Sequence, residues 1–112
     1  MELNTVFENG TQIVSVAASR IDAASAIQFK DAMRAATATD ATRIVLDLSR
    51  VKFVDSSGLG AIVASMKQMG DGRQLDLASL SPDVAKVFRL TRMDSIFSIY
   101  MTVHQAVLGK AG

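Results

Sequence analysis

Apolar and polar positions alternate in blocks that predict a mixed α/β chain. Leu3–Glu8 and Thr11–Ala17 are two apolar-rich runs on either side of Asn9-Gly10. Asn-Gly at that place is a strong hairpin signal, because both residues tolerate positive φ. Asp22 follows as an N-cap for a helix. Ala26, Phe29, Ala32, Met33 and Ala36 then fall on one helical face, with Lys30, Asp31 and Arg34 off the stripe. Ile27 lies on the polar side. Arg43–Ser49 is short, β-branched and nearly all apolar, as a strand buried on both faces would be. Lys52-Phe53-Val54 extends the chain as far as Asp55.

Leu59, Ile62, Val63 and Met66 then repeat with the i, i+3, i+4, i+7 spacing of a buried helix face. Gly70-Asp71-Gly72 ends that helix. Gln74–Leu80 reads as a further strand. Ser81-Pro82-Asp83 starts a helix carrying Val84, Val87 and Phe88, since serine caps, proline suits the first turn and aspartate suits the dipole. Met93–Tyr100 returns to the sheet, and Thr102 to Gln105 fits a capping box opening a last short helix. Strands alternating with helices predict an α/β fold. Its sheet is mixed but mostly parallel, opened by the N-terminal hairpin, with about four helices packed on it.

Composition narrows the classes. At 112 residues with 49% apolar content, the chain suits one domain, 1–112, with its own core. Twelve basic residues against eleven acidic ones give no electrostatic footprint for nucleic acid or an anionic membrane. The absence of cysteine excludes disulfides, thiolate metal sites and cysteine nucleophiles. A single histidine, His104, leaves little for a zinc site or a histidine-based triad. Neither a signal-like N-terminus nor a run near the ~18 apolar residues of a span is present. The expectation is a cytoplasmic protein with no metal or cofactor; small size without a coiled-coil pattern leans to a monomer.

The chemistry concentrates in Val54 to Met66, VDSSGLGAIVASM. Asp55, Ser56 and Ser57 stand where a strand hands over to a helix N-terminus with unpaired N–H groups. One reading is structural, in which one of the three caps the helix. The other is chemical, in which a serine is displayed for modification. A phosphate there would sit near the positive helix end and add nearly two charges to a small surface. Gly58 and Gly60 would let a partner approach the backbone closely. A hydrolase reading is weaker: the stretch is not G-x-S-x-G, and His104 would have to serve as base from the last helix. No phosphate-loop motif occurs. Asp22 and Asp47 read as a cap and a strand-end acid rather than ligands. Lys86, Arg89 and Arg92 form a modest solvated basic cluster.

IVLDLSRVKFVDSSGLGAIV resembles the core of STAS domains, named for sulfate transporters and anti-sigma factor antagonists. SRIDAASAIQF resembles the family's entry to its first helix, where an aspartate matches Asp22. SPDVAKVFRLTRMDSIFSIYMTVHQAV resembles its C-terminal third. The form D-S-S-G-L-G is similar to the bacterial anti-sigma factor antagonist branch. Two departures stand out: Ser19 replaces a glycine that many members carry before the R/E-[IL]-D segment, and Arg92 replaces a glycine that often follows the threonine of the third helix.

The resemblance implies a partner switch. The unmodified protein would bind an anti-sigma factor that is also a serine kinase of the GHKL type, freeing a sigma factor. That kinase would phosphorylate Ser57, the serine directly before the glycine, and a PP2C-type phosphatase would reset it. Asp55, Ser56, Gly58 and Leu59 would shape the loop and partner surface with Ser57, and Asp22 would contribute to recognition. The alternative within the family is a STAS subunit of a lipid-transport ATPase or signalling scaffold without a phospho-switch. An enzyme using Ser57 or Asp22 on nucleotides is the third reading.

Overall fold

Asn9 and Gly10 both take positive φ, 53° and 79°, the backbone of a type I′ hairpin turn. They join β1 (Leu3–Glu8) to β2 (Thr11–Val16) in an antiparallel pair, with Glu8 opposite Thr11 and Leu3 opposite Val16. This computed structural model describes residues 1–109. The remaining elements are β3 (Arg20–Ile21), α1 (Ala26–Ala36), β4 (Arg43–Asp47), β5 (Phe53–Val54), α2 (Ser56–Gln68), β6 (Gln74–Ala78), α3 (Pro82–Leu90), a 3₁₀ turn at Met93–Ser95, β7 (Ile99–Tyr100) and α4 (Val103–Leu108).

The main sheet runs β1-β2-β4-β6-β7, antiparallel at the hairpin and parallel elsewhere. Ile44, Val45 and Leu46 of β4 are fully buried, as the apolar run predicts, because helices cover both faces. On one face Val14, Ile44, Leu46, Leu75 and Leu77 meet Phe29 and Met33 of α1, Leu59 and Ile62 of α2, and Val84 and Phe88 of α3. On the other, Ile13, Val45 and Ala78 meet Ala106 and Val107 of α4.

Three expectations need correction. Asp22 does not cap α1. The helix begins at Ala26 with Ser25 in the cap position, and Asp22 closes the turn before it, its carbonyl accepting the Ser25 N–H at 3.0 Å. The strands at Val16, Asp47 and Ala78 end one or two residues earlier than the apolar runs suggest. Finally, β3 and β5 form a separate two-stranded parallel sheet, Arg20 opposite Phe53 and Ile21 opposite Val54. It ties the approach to α1 to the approach to α2.

Candidate functional site

Only Asp55 separates β5 from α2, so the helix starts at the C-terminal end of the two-stranded sheet. Asp55 is its cap: Oδ1 accepts the Gly58 N–H at 2.8 Å. Its second oxygen accepts the Ala23 N–H at 3.1 Å. One carboxylate therefore closes the helix and fastens the Asp22 turn beside it. Because Asp55 meets the capping need, Ser56 and Ser57 fall in the first helical turn, exposed. Their hydroxyls make no hydrogen bond among the described residues.

The rest of the motif turns inward. Gly58 is buried, and a Cβ placed on it would lie 1.9 Å from the Ile21 carbonyl oxygen. The space there is taken by β3, so this glycine serves packing inside the chain; the expected room for a partner is absent. Leu59 is 8% exposed and belongs to the core. Gly60 differs: it is exposed, and a Cβ there would meet nothing within 4 Å.

Asp22 is tied to Arg20, whose Nε donates to Oδ2 at 3.0 Å, and its Oδ1 accepts the Ser25 hydroxyl at 3.1 Å. The Arg20 hydrogen bond is the main reason its carboxyl is held below the ordinary range, with the Ser25 bonds and the Arg20 charge adding to it and burial opposing. Arg20 in turn lies over the Phe53 ring, 4.3 Å from its centroid. Asp22, Asp55, Ser56 and Ser57 are thus gathered at one end of α1 and α2. His104 lies exposed on α4, on the opposite face of the sheet. Among the described residues no cluster of three potential metal ligands occurs, and no helix is long and apolar enough to cross a membrane.

A groove of about 250 Å³ between α1 and α2, absent from the expectations above, is lined by Ala26, Ile27, Lys30, Ser57, Gly60 and Ala61. Ile27 is 70% exposed beside it. The available signal was an apolar residue off the stripe, one turn from a lysine.

A mixed sheet with helices on both faces, and two exposed serines in the first turn of a helix, define a small α/β domain with a hydroxyl-bearing helix start. The STAS domain family model matches residues 2–106, and the chain belongs to that family. It is similar to the anti-sigma-F factor antagonist RsfB of Mycobacterium tuberculosis, 27% identical over 104 residues, 93% of this chain and 84% of the relative. The anti-sigma-B factor antagonist of Listeria monocytogenes is 30% identical over 83 residues, 73% of each chain. The crystal structure of an anti-sigma factor antagonist from Mycobacterium paratuberculosis superposes with a TM-score of 0.84 at 27% identity, covering 96% of this chain and 91% of that one.

Proposed function

We propose that this protein is an anti-sigma factor antagonist switched by phosphorylation of Ser57. The unmodified form binds an anti-sigma factor of the GHKL serine kinase type in the cytoplasm, as a monomeric single domain, and frees a sigma factor. Phosphate on Ser57 ends that binding, and a PP2C-type phosphatase restores it. The observation that carries this reading is the division of labour at the helix start. Asp55 caps α2, so the fold has no structural use for the exposed Ser57 hydroxyl. Ser57 rather than Ser56 is chosen because it also lines the α1–α2 groove. Asp55 and Asp22 shape the surface, and Ser56 borders it. Gly58 and Leu59 contribute from beneath, by holding α2 against β3 and the core.

The test is intact-mass analysis with phosphosite mapping on protein from its own cells, followed by pull-down. The expected result is one phosphate at Ser57, constitutive partner capture by Ser57→Ala and weakened capture by Ser57→Asp. Phosphate absent under every growth condition, with both variants capturing partners as wild type does, would overturn the switch. Recovery of ATPase or scaffold subunits would then point to the other branch of the family.

A further inference from the structure

The α1–α2 groove is lined by both a lysine, Lys30, and the serine Ser57. Arg34 and Gln68 mark one end of the helix pair, joined at 3.1 Å; Ala26, Ile27, Ser57 and Gly60 mark the other. The two helices therefore run in the same direction. Cα–Cβ bonds of a helix tilt toward its N-terminus, so a lysine at position 30 of α1 is set to reach along the groove toward the end where Ser57 stands. The lysine backbone is pinned, its carbonyl accepting the Gln68 Nε2–H at 3.2 Å.

The neighbouring charges are already engaged. Arg20 pairs with Asp22, and Arg34 lies near Asp31. Asp55 receives the N–H groups of Gly58 and Ala23. Lys30 forms no ion pair among the described residues. Small residues, Ala26, Gly60 and Ala61, line the groove beside the lysine and the serine.

We propose that Lys30 is the positioning residue that receives a phosphate carried by Ser57, closing the α1–α2 groove with an internal ion pair. This rests on the reading of Ser57 as a phosphoacceptor. A phosphate offers three acceptor oxygens and close to two charges, and an ammonium across a short gap is its natural counter-charge. The modification then removes two features of the docking surface at once: the open groove and its unpaired cation.

The test installs phosphoserine at position 57 of the full chain by genetic encoding, so it needs no cognate kinase. The phosphate is titrated by phosphorus-31 NMR in wild type, Lys30→Met, Lys30→Arg and Lys67→Met. A nearby cation favours the dianion, so removing Lys30 should raise the second phosphate pKa by about half a unit. Lys30→Arg should keep the wild-type value, and Lys67→Met, changed at the far end of α2, should leave it unmoved. The helix N-terminus acts equally in all four proteins and cancels. Circular dichroism checks that each variant is folded. Identical titration of wild type and Lys30→Met would overturn the proposal, as would a shift reproduced by Lys67→Met. Absence of phosphate from Ser57 in native cells would instead overturn the switch itself, so the two failures are distinct.

Discussion

At the scale of single residues, Gly58 and Gly60 stand two positions apart on α2 for different reasons. Gly58→Ala drives a methyl into the Ile21 carbonyl at 1.9 Å, and neither partner is a flexible side chain. The variant should lose about 3 kcal/mol or more, read by urea denaturation. Gly60→Ala meets open space, so helix propensity alone should raise stability by up to about 1 kcal/mol. Equal effects at the two sites would contradict this packing of α2 on β3. Asp22 supplies a second prediction. Its folded pKa lies below the ordinary 3.8, chiefly through the Arg20 hydrogen bond. A depressed carboxyl contributes its stability fully above the unfolded pKa and loses it as pH falls through the folded one. Arg20→Gln should therefore move the Asp22 carboxyl titration upward, followed by carbon-13 NMR, and shift the acid loss of this contribution to higher pH. An unmoved midpoint would refute the assigned cause.

Among the elements, the end of α3 bears on one of the two departures from the family pattern. Arg92 directly follows the C-cap Thr91 and holds φ 62°, ψ 21°, the left-handed position where glycine usually closes a helix. Ser19, the other departure, is absent from the positive-φ residues and carries no such strain. Arg92→Gly should therefore stabilise the chain by about 1 kcal/mol in thermal or urea unfolding; a loss would mean that the arginine side chain makes up for its backbone. Elements of this kind were legible where local chemistry decides them. The Asn9-Gly10 hairpin and the Ser81-Pro82 helix start follow from residues adjacent in the chain. The sheet of β3 and β5 was not legible, because two-residue strands have no period and their pairing joins residues far apart in sequence. The cap was narrowed only to three adjacent candidates, because aspartate and serine both accept an N–H at a helix start. The helix begins at Ser56, so Asp55 takes the Gly58 N–H. Its second bond, to Ala23, is one that no local pattern contains. Asp22 was misplaced because a turn before a helix and a cap favour the same residue type.

For the whole molecule, the decisive asymmetry is between the two faces of the sheet. Three helices and most large apolar side chains cover one face, whereas the short α4 covers the other. That second face depends on polar ties. Arg43 Nη2 reaches Asp76 Oδ2 at 2.6 Å, Asp76 is 1% exposed, and the guanidinium also donates to the Ala106 carbonyl of α4. The same group lies 5.6 Å from the Tyr100 ring centroid. One ion pair thus links β4, β6, β7 and α4. Asp76→Ala leaves a largely buried arginine without its counter-charge, and should cost about 3 kcal/mol or more in urea unfolding. Asp31→Ala, at an exposed pair with 68% of the aspartate side chain accessible, should change stability by less than about 0.5 kcal/mol. Comparable losses in the two variants would show that α4 is held by its apolar contacts alone. The candidate site lies across the sheet on α1 and α2, so phosphoserine at position 57 should titrate in Asp76→Ala as it does in wild type. A shifted titration would mean that the α4 face reaches through the sheet to position 57, and the electrostatic independence of the two faces would have to be abandoned.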